Sequence, residues 1–441
     1  MFPTGEELKP SDPLSNPHVP STFTRSLQQG WLRTARPRPI VIIGARGIVR
    51  DAHLPAYRLE NFRVAGVYDR DPSRAEAFGR RWGVPVMPNL ASVVDVKNAV
   101  FDLAIPPQSH VEVLSALPRG SIVLLQKPMG RDLGEATRIL EMVEDLHLTA
   151  AVNFQLRFAP MMLAVDDAPR RGILGKLADI EIHLHLLTRW DQFPYPRGLP
   201  PVEIAVHSIH YLDLIRHLVG EPASVMARTL KHPLSALAQT RTSAILDCNE
   251  PRCTFSINHD HAYGCRFQDA TFRLEGTEGA AAVKLGLLLG SPRGEPDELW
   301  ITRRENGEWE QIPLEGSWFP HAFIGIMSNL QRCANGEDDH LITPARDAWH
   351  TMVLVEACFR SSAEPGTPVP RSPEQSEERE YDRFEALQCP WIAGWNFFRS
   401  PLDNAFRSRC IAGVERGDLV LRGLACRTED PFATSHHLGR G

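Results

Sequence analysis

The sequence predicts two α/β-type domains in succession: a doubly wound domain built on a parallel sheet, then an α+β domain with an open, mainly antiparallel sheet. Three observations predict it. Short apolar segments alternate regularly with amphipathic ones between about residues 40 and 154; a glycine-bearing turn, Gly44-Ala45-Arg46-Gly47-Ile48-Val49, directly follows the first apolar run; and beyond about residue 156 strand-like segments follow one another.

The run Ile40-Val41-Ile42-Ile43-Gly44 is continuous, apolar and β-branched, as a parallel strand buried on both faces must be. A helix over about 48–60, a strand over 62–69, and a helix in SRAEAFGRRW come next. They are followed by a strand over 99–106, a helix in SHVEVLSAL, a strand over 121–126, a helix in LGEATRILEMVEDL and a strand over 149–154. Alternation at this spacing predicts parallel pairing with right-handed crossovers. One amphipathic helix, about 202–218, then precedes the strand candidates ADIEIHLHLLT, ASVMARTL, SAILDCN, CTFSINHD, ATFRLEG and ELWITR, and helices near 320–334 and 344–361 close the organised part. Consecutive strands separated by turn residues predict antiparallel pairing. The expected domains are a flexible N-terminal arm over 1–38, a nucleotide-binding domain over 39–155, a substrate and oligomerisation domain over 156–372, and an appended tail over 373–441 that contains WIAGWNFF. No internal repeat is apparent.

The 441 residues suit about two domains at roughly 100 to 200 residues each. With 48 Lys plus Arg against 54 Asp plus Glu, the net charge of −6 disfavours a basic nucleic-acid binder. No stretch reaches the roughly 18 apolar residues of a membrane span. The N-terminus, MFPTGEELKPSDPLSNP, has acids and prolines where a signal peptide needs a basic start and an apolar run. The expectation is a cytoplasmic protein with neither nucleic-acid nor membrane partners. Its eight cysteines include no CxxC pair, and Cys248 and Cys253 in CNEPRC have no second pair to complete a zinc site, so they read as reduced thiols. There is no GxSxG, GxxxxGK or HExxH motif.

A dinucleotide-binding turn needs glycines for the bend, for close approach to the pyrophosphate and for helix packing. Gly44 is in place, Arg46 stands where the second glycine is expected, Val49 where the third is, and Gly47 and Ile48 lie between. Asp69 ends the second strand about 25 residues later, close to the roughly 20 expected of a carboxylate that binds the adenosine ribose. Its charge favours NAD over NADP, whereas Arg70 and Arg74 would accommodate a 2′-phosphate. Glu203, His207, His210 and Asp213 are spaced by four, three and three residues, which places them near one face of a regular helix.

In order and spacing, GARGIVRDAHLPA, VYDRDPSRA, AIPPQSHVEVLSAL, QKPMGRDLGEA, NFQLRFAP and HYLDLIRHLVG resemble the Gfo/Idh/MocA family of NAD(P)-dependent oxidoreductases, over about residues 39–372. The resemblance implies a Rossmann domain followed by a C-terminal α/β domain, with the active site between them. It implies a cofactor, NAD or NADP, and a CH–OH substrate of the sugar, cyclitol or polyol class. The family's Glu-Lys-Pro motif stands here as Gln126-Lys127-Pro128. Lys127 would orient and polarise the substrate oxygen, beside a base for the hydroxyl proton. Two registers compete for that base. Counting back from Gly220 makes His210 the histidine and Asp213 the trailing acid but leaves Val206 in an acidic position, whereas the other register pairs Glu203 with His207. His210 is the favoured proton-transfer residue, with Glu203 and His207 lining the pocket.

The resemblance also places Pro106 and His110, with Gln126, against the cofactor, and Asn153, Gln155 and Arg157 at the substrate pocket, where Arg157 would fix an oxygen-rich substrate. A metal held by Glu203, His207 and His210 is an alternative, although the family works without one, and no metal is expected. Members also cleave glycosides with bound NAD or serve as ligand sensors, so both remain alternatives to a dehydrogenase. A homodimer or homotetramer is expected by analogy.

Overall fold

The computed structural model describes residues 26–190, 203–235, 237, 239–290, 293–305 and 307–369. The first sheet contains β1 (Ile40–Ile43), β2 (Val64–Tyr68), β3 (Val100–Leu103), β4 (Ile122–Leu125) and β5 (Thr149–Val152) in the order β2-β1-β3-β4-β5. All pairings are parallel. Every residue of β1, β3 and β4 is buried, which is why these segments are apolar without alternation. The connecting helices are α1 (Leu54–Leu59), α2 (Pro72–Trp82), α3 (Leu90–Val94), α4 (His110–Ala116) and α5 (Leu133–Asp145). Side chains cap them: Asp71 accepts from Arg74 N at the start of α2, and Asp132 from Glu135 N at the start of α5. The strand order reverses at β1, where a crevice opens at the carboxyl ends.

The second half begins with α6 (Pro160–Arg170) and β6 (Leu177–His185), continues through α7 (Ile209–Val219), and then adds β7 (Ser224–Leu230), β8 (Arg241–Asp247), β9 (Arg252–Asn258) and β10 (Asp269–Gly276). β11 (Gly279–Lys284), β12 (Glu298–Arg303), β13 (Trp309–Gln311), α8 (His321–Ala334) and α9 (Ala345–Ala363) complete it. The eight-stranded sheet has the order β13-β12-β11-β10-β6-β9-β8-β7. Within this sheet only β6 and β9 pair in parallel among the described residues, which makes it mainly antiparallel. Alternate residues face inward: Cys253, Phe255 and Ile257 on β9, and Ala270, Phe272 and Leu274 on β10. The last two helices return to the first sheet, where Val152 N donates to Thr343 O (2.8 Å) and Trp349 Nε1 to Thr137 Oγ1 (2.9 Å).

α3, α6 and β13 were not anticipated, and three further features depart from expectation. β11 was not anticipated because GAAAVK has weak β-propensity; its neighbours β10 and β12 supply the pairing and bury Ala281 and Val283. The helical segments after β1 and before α7 open with π-helical turns, at Val49–His53 and Ile204–Ser208. Residues 26–38, expected as part of a flexible arm, are laced onto the body. Arg38 N donates to Gln331 Oε1 (2.7 Å), Thr34 Oγ1 to Glu337 Oε1 (2.9 Å), and the Trp31 ring meets Phe158 edge-on at 5.2 Å. Residues 1–25 and the tail over 373–441 lie outside the described residues.

Gly44 has φ +107°, and a Cβ there would sit 2.4 Å from Ala104 O. Gly44→Ala should therefore destabilise the protein by about 1–3 kcal/mol through strain alone, with the clash adding to it. A urea midpoint equal to that of the wild type would contradict this account.

Candidate active site and cofactor cleft

A cleft of about 400 Å³ opens at the reversal of strand order, lined by Gly44, Arg46, Asp69, Arg70, Arg74 and Pro106 among others. Gly44 lets the chain turn close to the end of β3. The exposed Arg46 reaches the cleft. Gly47 is not forced to be glycine, since a Cβ would meet nothing nearer than 3.7 Å, and Ile48 follows it into the helix.

Asp69 Oδ2 accepts from Ala45 N (2.9 Å), while Oδ1 accepts from Asp71 N (2.9 Å) and Arg74 Nη1 (2.8 Å). One lone-pair position of its carboxylate remains for a ligand. Arg74 offsets part of its charge and weakens any repulsion of a 2′-phosphate. Arg70 pairs with Glu112. His110, expected against the cofactor, is wholly buried with Nδ1 against Met129 O at 3.1 Å, and burial lowers its pKa to about 4. It supports the loop after β4, while Gln108 and Ser109 line the cleft in its place.

A buried polar row runs beneath the carboxyl ends of β3, β4 and β5. Tyr57 OH donates to Asp102 Oδ2 (2.8 Å), which also meets His53 Nδ1 (2.7 Å). His53 Nε2 lies 3.3 Å from Asn153 Nδ2, which donates to Gln126 Oε1 (2.8 Å). The Phe323 ring packs against His53 at a tilt, with centroids 4.9 Å apart. Sequence reasoning passed over His53, Tyr57 and Asp102. Their signal was an aspartate inside a strand with no other polar residue, which burial obliges to find partners, and a histidine and tyrosine four residues apart on the helix above it.

Beside Gln126, Lys127 Nζ donates to Val206 O (2.8 Å), and loss of hydration lowers its pKa to about 8. The expected acid at Val206 is thus replaced by that residue's own carbonyl, presented from a π-helical turn. His210 is buried, with the rings of Phe154 and Trp318 each edge-on at 6.2 Å and Nδ1 unpartnered among the described residues. Burial, then the Lys127 charge, drives its pKa well below the usual value. His207 shares this depression through burial, His259 and Lys127, and packs on the rings of Trp190 (5.1 Å) and His259 (4.6 Å). Glu203 is fully buried behind them, accepting from Ser208 Oγ (2.5 Å) and lying 3.6 Å from His259 Nε2. Lys127, His207 and His210 are therefore brought together, and Trp190, His259 and Trp318 join them. Among the described residues no group of three or more His, Cys, Asp or Glu side chains is disposed to hold a metal ion.

Asp213 and Arg157 go elsewhere. Arg157 Nε and Nη2 donate to the two carboxylate oxygens of Asp213 (2.7 and 2.6 Å), Nη2 also to Asp347 (2.7 Å), and Nη1 to Ile342 O (3.0 Å). Arg216 and Thr351 extend the cluster. Arg157, expected to fix the substrate, and Asp213, read as the trailing acid and as a substrate residue, have their charges committed to each other. Asp213 lies about one turn beyond His210 along α7, so the four residues expected on one face divide between the pocket and this cluster.

Residues 38–154 match the family model GFO_IDH_MocA, described as an oxidoreductase family with an NAD-binding Rossmann fold. An uncharacterized protein of Saccharomyces cerevisiae is 24% identical over 349 residues, spanning 75% of this chain and 97% of its own length. The D-apiose dehydrogenase of Paraburkholderia graminis is 24% identical over 325 residues, 71% of this chain and 84% of its own. An oxidoreductase from Agrobacterium radiobacter, solved with NAD+, L-tartaric acid and magnesium, superposes with a TM-score of 0.63 at 19% identity, covering 75% of this chain and 97% of that one.

Replacing Asp213 by Ala would leave the Arg157 charge buried with one carboxylate fewer. The expected loss is about 3–5 kcal/mol of unfolding free energy in urea. A loss below about 1 kcal/mol, the range of exposed pairs, would refute a load on this buried network.

Proposed function

We propose that this chain, whose residues 38–154 belong to the Gfo/Idh/MocA oxidoreductase family, is an NAD(P)-dependent dehydrogenase acting on a CH–OH group of a sugar, cyclitol or related polyol. The observation that carries the reading is the convergence of Lys127 and His210, both withdrawn from water, at the carboxyl end of β4. Fit to a dinucleotide is supported by the left-handed Gly44 turn and by the cleft holding Asp69. When bound, the nicotinamide would supply the hydride acceptor. Support for a carbohydrate-like substrate comes from the apiose dehydrogenase likeness and from the aromatic wall of Trp190, Trp318 and Phe154.

The side chains divide the labour by charge. Lys127, cationic below about pH 8, holds and polarises the substrate oxygen. His210 is kept neutral by burial and by that same cation, so its imidazole can accept the hydroxyl proton at neutral pH. Phe154 and Trp318 close around the ring and limit water. A non-catalytic sensor of the same fold is the second reading, favoured by Gln126 and Val206 standing where acids are expected. Absorbance change at the nicotinamide band across a sugar panel separates the two, since a sensor binds without turnover.

Millimolar NAD(H) or NADP(H) should quench or shift the tryptophan fluorescence; no response to either would sink the reading. In the oxidation direction, kcat/KM should hold a plateau through neutral pH. It should fall on the alkaline side as Lys127 loses its proton near pH 8, and on the acid side, well below pH 6.5, as His210 gains one. Lys127→Arg should erase the alkaline limb, and Lys127→Ala should cut turnover by roughly 10² or more. A profile with the same alkaline limb in Lys127→Arg would assign that limb to another group.

A further inference from the structure

The ring of Trp318, which meets His210 edge-on, is carried by chain that is neither helix nor strand. Residues 312–320 lie between β13 and α8, and after Ile312 N donates to Leu299 O (2.8 Å) they leave the sheet. Their backbone groups still need partners, and side chains supply them. Trp318 N donates to Asp297 Oδ2 (2.7 Å) and Ser317 N to His321 Nδ1 (3.2 Å). Earlier in the segment the partner is Gln29, from the chain that precedes β1. Its Nε2 donates to Pro313 O (3.0 Å) and its Oε1 accepts from Glu315 N (2.9 Å). The amide thus straddles Leu314 as one residue of a parallel strand would, taking the carbonyl before it and the N–H after it.

Gln29 can do this because its own station is fixed. It is buried; Gln28 N before it donates to Asp167 Oδ2 (3.0 Å). Trp31 after it packs edge-on against Phe158 at 5.2 Å and donates through Nε1 to Asp338 Oδ2 (3.3 Å). A side chain whose backbone is held on both flanks has less freedom left to lose on bonding. Beyond Glu315 the segment has little slack. A Cβ at Gly316 would sit 2.6 Å from the His321 ring, and the Phe319 ring is edge-on to Trp318 at 5.6 Å and to Phe323 at 4.9 Å. Displacement at Pro313 or Glu315 is therefore passed along to the indole that shields His210.

We propose that Gln29 is a positioning residue of the candidate active site, fixing the indole of Trp318 against His210 through Pro313 and Glu315. The inference rests on the dehydrogenase reading above. It is tested on the full-length protein labelled with 5-fluorotryptophan, the 19F lines of Trp318 and of Trp349, which bonds to Thr137, being assigned with Trp318→Phe and Trp349→Phe. Gln29→Met, which keeps the length of the side chain and removes both bonds, should shift or split the Trp318 line and leave that of Trp349 in place. With the sugar turned over fastest in the panel above, kcat/KM should fall by roughly tenfold, the scale of two neutral hydrogen bonds. Its acid limb should move up toward pH 6.5, because water admitted beside His210 relieves the desolvation that depresses its pKa. Lys127 and His207, the titratable groups that face His210, stay in place. An unmoved Trp318 line, or a kcat/KM and acid limb equal to those of the wild type, overturns the inference and leaves the dehydrogenase reading standing. Absence of turnover by the wild type across the panel overturns that reading instead, and the Trp318 line then decides the inference. A second measurement needs no folded variant: the Glu315 N–H of the wild type should be protected from hydrogen exchange, and exchange at the rate of an unstructured amide overturns the inference.

Discussion

The hydrogen bond from Lys127 Nζ to Val206 O is the constraint on which the rest of the site depends. It ties the end of β4, in the first sheet, to the π-helical turn that leads into α7. An ammonium taken out of water needs a compensating acceptor, and a neutral carbonyl supplies one without adding charge. A carboxylate at the same point would hold the proton on the lysine; the carbonyl leaves desolvation in command, and the lysine is brought to about 8. Burial first, and then the same positive charge, hold the neighbouring imidazoles in their neutral form. Withdrawal from water at this one contact point thus governs three candidate groups together.

The placement of that contact depends on an irregularity in the helix. π-helical turns add a residue to a helical repeat and are often found at functional sites. The turn over Ile204–Ser208 carries His207, while His210 reaches the pocket from the first turn of α7 and Asp213, about one turn further on, meets Arg157. The ion cluster of Arg157, Asp213, Asp347 and Arg216 joins the chain just after β5 to α7 and α9, so helices from the second half are held against the first sheet by paired charge as well as by apolar packing. Charge is matched and buried in this cluster, away from Lys127.

The buried polar row under β3, β4 and β5 imposes order of another kind. An apolar sheet would hold the strand ends in place but would leave the amides of Gln126 and Asn153 free to rotate. Hydrogen bonds from Tyr57 and His53 to Asp102 remove that freedom, since each member must accept where its neighbour donates. Residues 26–38 add a further tie, Arg38 and Thr34 joining the chain before β1 to the end of α8 and its following turn.

The alternation of apolar runs with amphipathic segments determined the parallel sheet, because strands covered on both faces tolerate little but Val, Ile and Leu. The Gly44 turn, Asp69 and the strand-end Lys127 were legible for the same reason: local geometry and strand ends dictate what can stand there. The helix carrying His207 and His210 was legible as a helix, but its face was not, since the π-helical turn is a compromise between helix geometry and the position of Lys127 some eighty residues earlier in the chain. Whether Arg157 met substrate or Asp213, whether Val206 offered a side chain or a carbonyl, and which residues Asp102 would recruit were decided only by tertiary structure. These are pairings between groups distant in sequence, and a buried charge or donor takes whichever partner folding brings within hydrogen-bond reach.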